Sequence, residues 1–523
     1  MLIDTRLPSV SASSIGLALT IILPDTPRYD TCGAPLVINI PGGWEGEGYG
    51  ALNSSNNYTS LGFIAIVFNF PGSGGGPHQS GGIYDMRGPN CLQALSDVIA
   101  FANDEVADNT GQTISQLIAP WVSEIASIGL LGNSNGGNII LCTIGNHADS
   151  ITKVDWIVNW ESPVGDGMPG AVAGAWGSGP FYNNPIVNPA YNDTTGEFDF
   201  SLLAYSDTLI CSILPLPVGV IRGNFYFDIN QNTIPDPGID YIPNPIIHQL
   251  NQSVNKAMWS VGLMHAADSI GLIPFPPPQH MPSVGLTDNF WLVRNGENWI
   301  DTIVTNFPDI LFIVLASDTD HVQSAPDYPH ILRQYELFQN SGAAMTRINP
   351  DASYVEILSG TSFPGIVDNP ANIVFDHLTI RSAVEPESIP SEAMKKAALA
   401  ELADRNFMGI LSIQLDTVEY ECPPVFCSIP TNIYTSNITP TSARLNWDTT
   451  DRADHYQIQG RRTGNSNWTL INISSGEPNF KNVYGLSNNN TYEWQIRTWC
   501  DVAESEASDW SALDSFTTNC LTP

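Results

Sequence analysis

Apolar residues are grouped along this chain in two ways. Up to about residue 420 they come in short unbroken runs: "PLVINI" (35–40), "GFIAIVFNF" (62–70), "IASIGLLG" (125–132), "VDWIVNW" (154–160), "ILFIVLAS" (310–317) and "AAMTRINP" (343–350). Such runs suit strands of a parallel sheet covered on both faces. Between them, "NCLQALSDVIAFANDEV" (90–106) spaces Leu, Val, Ile and Phe as a helix does. A second helix is predicted over "SEAMKKAALAELADRNF" (391–407). Strand and helix alternate, which predicts an α/β domain with a doubly wound, mostly parallel sheet.

The alternation breaks between about 165 and 305, where Pro, Gly, Asn and aromatics (Trp176, Phe181, Tyr182, Trp259, Phe275, Trp291) are frequent. This stretch reads as a large insertion over the sheet. It is either a lid that shapes a substrate pocket or an accessory layer that buries its own aromatics. After "ECPPVFCSIP" (421–430) the pattern becomes two-residue alternation in "ARLNWDTT", "DHYQIQGRR", "TYEWQIRTWC" and "WSALDSFTT". That period predicts a small all-β sandwich over 427–520, behind an α/β domain over 1–420.

Composition narrows the function. With 53 Asp+Glu against 19 Lys+Arg, the formal charge is −34. Binding to nucleic acid, whose phosphates need basic neutralisation, is excluded. The acidity fits a well-solvated secreted surface. No run reaches the ~18 apolar residues of a spanning helix. Met1 to Arg6 lacks a charged leader with a cleavage site, which suggests a mature secreted chain. Eight cysteines, four of them (Cys422, Cys427, Cys500, Cys520) towards the C-terminus, suggest disulfides formed in an oxidising compartment, with the pairing open.

The chemistry centres on "IASIGLLGNSNGGNIILCTIG" (125–145). Gly132 to Gly136 fits G-x-S-x-G, with an apolar strand before it and a helix start after it. That context makes Ser134 the candidate nucleophile, held on a strained turn at a helix N-terminus. A serine needs a base, and the base an orienting carboxylate. Asp320 follows the 310–317 run, at the end of a strand where site residues of parallel sheets gather. Asp318 is the next choice and Asp166 a third. His377, in "NIVFDHLTI", is the candidate base; His330 falls at a helix start and His321 beside the acids. The oxyanion hole is assigned to the backbone N–H of Asn135 and to that of Gly43 or Trp44, in the turn "NIPGGWEGEG". Catalysis calls for no cofactor.

A second candidate site is "FDINQNTIPDPGIDY" (227–241). Asp228, Asn230, Asn232, Asp236 and Asp240, with the carbonyl of Ile234, space oxygen ligands as a calcium loop does. The alternative is an Asx-rich turn that bonds its own backbone. A calcium ion here would be structural.

Two resemblances follow from these motifs. "PGGW", "GNSNGG", "SDTDHV" and "FDH", in that order, resemble the α/β-hydrolase superfamily, and "NFPGSGGGPHQSGGIYDMRG" (69–88) resembles the glycine-rich loop of its prolyl-oligopeptidase-like members. Trp447, the "LSNNNTYEWQI" corner with Leu486 and Tyr492, and "SDWSALDSFTT" resemble a fibronectin type III module. The first resemblance implies a Ser–Asp–His hydrolase acting on a small-molecule or polymeric ester through an acyl-enzyme. The alternatives are a serine peptidase of the prolyl-oligopeptidase type and a non-catalytic adhesion protein on a hydrolase scaffold. Against the peptidase, the chain before the first strands is too short for a propeller. The second resemblance implies a spacer or adhesion unit.

Overall fold

The structure is a computed structural model. It describes residues 1–44, 46, 48, 58–166, 172–174, 187–211, 221–243, 245–250, 254–316, 320, 328–351, 354–355, 391–409, 429–450, 453–474, 478–500 and 507–520. The chain divides into two compact units, Met1–Tyr420 and Glu421–Pro523.

The unbroken apolar runs of the first unit become six strands of one mixed sheet, and two N-terminal strands join them. Together they are β1 (Leu2–Leu7), β2 (Leu17–Ile22), β3 (Ala34–Ile40), β4 (Ile64–Phe68), β5 (Ile125–Asn133), β6 (Trp156–Trp160), β7 (Leu311–Leu315) and β8 (Met345–Ile348). Their order across the sheet is β1-β2-β4-β3-β5-β6-β7-β8. β2 pairs antiparallel with β1 and β4, and the pairs from β4 through β3 and β5 to β8 are parallel.

Alternate residues of each strand face opposite sides of the sheet, and both sides are covered. On one face Leu36, Ile38, Ile66 and Leu130 pack against three helices, α1 (Pro89–Ala102), α2 (Asn135–Asn146) and α3 (Pro329–Ser341), through Leu95, Val98, Ile140, Ile144, Ile331 and Tyr335. On the other, Val37, Ala65, Leu131, Val158 and Ile313 meet Met394, Ala397, Ala398 and Leu402 of α4 (Ser391–Met408). Continuous apolarity was therefore the right signal for β3 to β7, which are largely buried on both faces.

Described parts of the insertion form two-stranded ribbons, Leu203–Cys211 with Ile221–Phe227 and Ile246–Leu250 with Val254–Met258, followed by helices Val261–Ser269 and Val284–Leu292. Phe225, Phe227, Tyr241, Trp259, Leu263 and Met264 form a core of their own. Phe275 is fully exposed and Trp291 buried. The insertion thus buries several of its aromatics within itself. Trp176, Phe181 and Tyr182 lie outside the described residues.

The second unit holds two antiparallel sheets. Its strands are β9 (Tyr434–Ser436), β10 (Ser442–Asn446), β11 (His455–Arg462), β12 (Thr469–Ile473), β13 (Phe480–Tyr484), β14 (Thr491–Trp499) and β15 (Asp514–Thr517). One sheet runs β9-β10-β13 and the other β12-β11-β14-β15. Leu445, Trp447, Ile458, Ile473, Trp494, Ile496 and Phe516 form the core, which is an all-β sandwich read from its two-residue period. The Tyr492 hydroxyl accepts from the Ser487 N–H at 2.8 Å and closes the corner before β14.

The cysteines depart from a fully paired framework. Cys32 in the first unit and Cys500 in the second are each disulfide-bonded. Cys91, Cys142 and Cys520 are free thiols. Cys91 on α1 and Cys142 on α2 lie in the apolar core, where they act as small hydrophobes. Burial pushes the Cys142 thiol up to about 12, and it stays protonated.

Candidate active site

Ser134 stands between the end of β5 and the start of α2, at φ 50° and ψ −128°. A non-glycine residue in this region stores on the order of 1–3 kcal/mol of strain and persists only where its surroundings over-determine it. They do so here. The Ser134 N–H donates to the Trp160 carbonyl at the end of β6, at 2.8 Å. A Cβ on Gly132 would lie 2.2 Å from the Gly137 Cα, and one on Gly136 would lie 2.5 Å from the Ile40 carbonyl oxygen. The turn is therefore closed so tightly that two of its glycines have no room for a side chain.

The turn after β3 lies directly over this elbow. A Cβ on Gly42 would meet the Ser134 Cβ at 2.9 Å. Gly43 takes a positive φ of 71°. Its carbonyl accepts from the Asn135 side-chain amide at 3.1 Å. Residues 42–44 and 134–135, the assigned nucleophile and oxyanion donors, thus form one assembly. The Trp44 ring lies 6.5 Å from Phe290 and 6.4 Å from Trp291, both from the insertion. An apolar wall stands beside the turn after β3.

Residues that sequence reasoning missed hold that turn in place. Arg87 is buried beneath it, donates to the Pro41 carbonyl at 3.1 Å and lies 4.4 Å from the Phe70 ring centroid. Arg294, also buried, donates to the carbonyls of Met86 (2.9 Å), Asp85 (2.7 Å) and Phe290 (3.0 Å). Asn138 of α2 donates to the Arg294 carbonyl at 2.6 Å and accepts from the Gly296 N–H at 2.9 Å. On the opposite face of the sheet, Lys395 of α4 lies 4.4 Å from the Trp160 ring centroid and 3.3 Å from the Asn133 Oδ1. The available signal was scarcity: with only 19 basic residues in the chain, a cation embedded in an apolar or glycine-rich segment has a specific task.

Asp320 follows β7 and is fully buried. Its Oδ2 accepts from the His330 Nε2 at 2.9 Å, and His330 is equally inaccessible. His330 lies in the first turn of α3, at the helix start expected from sequence. Its pairing with Asp320 was not foreseen, because the two lie ten positions apart with no shared periodicity. His377, Asp318 and His321 lie outside the described residues. Asp166 accepts from the Gly262 N–H at 3.3 Å, at the start of an insertion helix. The structure brings together Ser134, Asn135, Gly43 and Trp44, and joins Asp320 to His330.

In the 228–240 loop the oxygens face the loop's own N–H groups. Asp228 accepts from the backbone of Asn232 (3.1 Å) and Thr233 (2.8 Å). Asp240 accepts from the backbone of Ile229 (2.9 Å) and Asp236 (2.8 Å). The side-chain amides of Asn230 and Asn232 both donate to Asp236 at 2.6 Å. Ile234 is exposed and donates its N–H to Asn232. Among the described residues no three acidic, histidine or cysteine side chains are grouped to hold a metal. Burial, then the charges of Asp228, Asp240 and Asp236, push the Tyr226 hydroxyl up to about 12.

No protein-family profile matches the chain, and neither does any curated protein. Solved structures similar to part of it are β-sandwiches. One is a computationally redesigned β-sandwich protein, with 24% identity over 18% of this chain and 94% of its own, at a TM-score of 0.17. Another is a myokine structure, with 16% identity over 18% of this chain and 98% of its own, at 0.17. A third is the fn3 domain of the human collagen α-1(XX) chain, with 17% identity over 18% and 89%, at 0.16. Among the described residues, no helix is long and apolar enough to cross a membrane.

Proposed function

We propose that the Met1–Tyr420 unit is a serine hydrolase of the α/β-hydrolase type that cleaves carboxylic esters through an acyl-enzyme. The observation that carries this reading is the backbone of Ser134, φ 50° and ψ −128°, between a parallel strand and a helix with the Gly42–Gly43 turn pressed against it. A strained serine at that position puts its hydroxyl at a helix N-terminus, where developing negative charge is favoured.

In the proposed reaction His377 accepts the Ser134 hydroxyl proton as Oγ attacks the ester carbonyl. The oxyanion is held by the N–H of Asn135 and that of Gly43 or Trp44. His377 then returns the proton to the leaving alcohol as the C–O bond breaks. Water, deprotonated by the same base, frees the acid and restores Ser134. Asp320 orients the imidazole and stabilises it when charged. The aromatic wall of Trp44, Phe290 and Trp291 supports an apolar group on the substrate.

The enzyme is read as secreted, on its charge of −34 and its disulfide-bonded Cys32 and Cys500. The sandwich unit is read as a fibronectin type III-like spacer. The loop 228–240 is read as a structural calcium site on the spacing of its oxygen donors alone.

Hydrolysis of p-nitrophenyl esters and of peptide anilides by wild type and Ser134→Ala tests the reading. Ester cleavage lost in the variant by about 10⁴-fold or more is expected. Robust anilide cleavage without ester cleavage would favour the peptidase. A wild type inert on both would favour the adhesion protein.

A further inference from the structure

Asp320 is an acid with no access to water, and a buried carboxylate needs donors. An ionised carboxylate only accepts hydrogen bonds, so the His330 nitrogen at 2.9 Å is the donor, Nε2–H. The other ring nitrogen, Nδ1, has no hydrogen-bond partner among the described residues. Leaving a buried nitrogen unsatisfied costs about 1–3 kcal/mol.

The backbone of His330 is tied into a chain of bonds. The His330 carbonyl accepts from the Gln334 Nε2 at 3.0 Å. The same amide donates to the Ser162 carbonyl at 2.9 Å, and Gln334 Oε1 accepts from the Asn159 Nδ2 at 2.9 Å. Asn159 and Ser162, both fully buried, lie at the end of β6. There they press on Gly137 of α2, where a Cβ would stand 2.0 Å from the Ser162 Oγ and 2.5 Å from the Asn159 Oδ1. This chain joins the acid to the helix that carries Ser134.

Resting on the serine-hydrolase reading, we infer that His330 is a positioning residue for that reaction: it holds the Asp320 carboxylate through Oδ2, so that Oδ1 is presented to the catalytic base. His330 does not touch substrate, since its side chain is fully buried.

The test compares the full-length wild type with His330→Leu, His330→Gln, Asp320→Asn and the double variant His330→Leu/Asp320→Asn. Each is assayed on a p-nitrophenyl ester, with labelling by a fluorophosphonate and a thermal melt alongside. His330→Leu is expected to lower kcat by about tenfold or more and to leave KM within about twofold. Gln carries an amide N–H near the place of Nε2–H, and His330→Gln is expected to recover most of the loss. On the Asp320→Asn background, His330→Leu is expected to change kcat little further, because the two residues act as one unit. Where His330→Leu does not fold, His330→Gln is set against His330→Asn, whose shorter amide does not reach the acid; equal rates in these two overturn the inference. A labelled wild type with an equally active His330→Leu overturns it and leaves the hydrolase reading standing. His330→Gln as inactive as Ser134→Ala also overturns it, because His330 is then the base itself. A wild type that neither labels nor hydrolyses overturns both.

Discussion

The Asn135 side-chain amide donates to the Gly43 carbonyl at 3.1 Å, which ties the residue after the candidate nucleophile to the turn proposed to supply the second oxyanion donor. Two segments 92 residues apart in sequence are thereby held in register. Asn135→Ala removes the tether and leaves the Asn135 backbone N–H in place. Stability is expected to fall by only about 1 kcal/mol. The kcat on a p-nitrophenyl ester is expected to fall by about tenfold, because a misplaced oxyanion donor weakens transition-state binding. Steady-state kinetics beside a denaturant melt check the pair of effects; a loss of stability with unchanged kcat would separate the tether from catalysis.

The elbow tolerates no extra atom at Gly136, where a Cβ would lie 2.5 Å from the Ile40 carbonyl oxygen of β3. The obstacle is backbone, which does not yield as a flexible side chain does. Gly136→Ala is expected to destabilise the protein by about 1–3 kcal/mol and to lose most activity by moving α2 off the strand. Gly285→Ala is the control, since nothing lies within 4 Å of a Cβ there. Thermal melts of both variants decide it.

How much of this was legible beforehand depended on the range of the interaction. Strands β3, β4 and β7 are buried along their whole length, so unbroken apolar runs announced them. The strand–turn–helix context of Ser134 is local and was readable, as was the two-residue period of β11 and β14. The clamps were not readable, because Arg294 reaches the carbonyls of Asp85 and Met86 across some two hundred residues. Asp320 and His330 were each noticed but not joined, because no periodicity links a loop to a helix start. The cysteine count pointed to disulfides, and Cys32 and Cys500 are each disulfide-bonded, but Cys91 and Cys142 pack as apolar groups, which pairing arithmetic does not register.

Glu297 gives the first unit a pH-sensitive stability. Burial pushes its carboxyl up to about 7; the Arg333 charge opposes this and Asp166 adds to it. Its Oε2 accepts from Arg333 at 2.5 Å, while Oε1 is buried without a partner. The folded value lies above the unfolded one. The group therefore favours the folded state fully below the ordinary carboxylate range, and this contribution is lost as pH rises through about 7. Glu297→Gln removes the penalty. Arg333 is half-exposed and rehydrates, so a net gain of roughly 1–2 kcal/mol at pH 8 is expected, with no change at pH 4. Melts at the two pH values check this; a variant less stable than wild type at pH 8 contradicts the sign.

The loop 228–240 poses a simple metal test. If it binds calcium, millimolar Ca²⁺ raises the melting midpoint of the EDTA-treated wild type, and Asp236→Ala abolishes the rise while changing stability in EDTA by no more than about 1 kcal/mol. Asp236 is the point of attack because it receives the amides of both Asn230 and Asn232. Equal midpoints with and without Ca²⁺ reduce the segment to a set of self-satisfied turns.

The central claim is that the strained backbone at 134 exposes a reactive hydroxyl. Its most direct measurement is a fluorophosphonate reaction with the intact protein, followed by mass mapping of the modified peptide. A single adduct on Ser134, absent from Ser134→Ala and suppressed by a competing ester, is the predicted result. An unmodified protein, or an adduct on another residue that persists in Ser134→Ala, would contradict it.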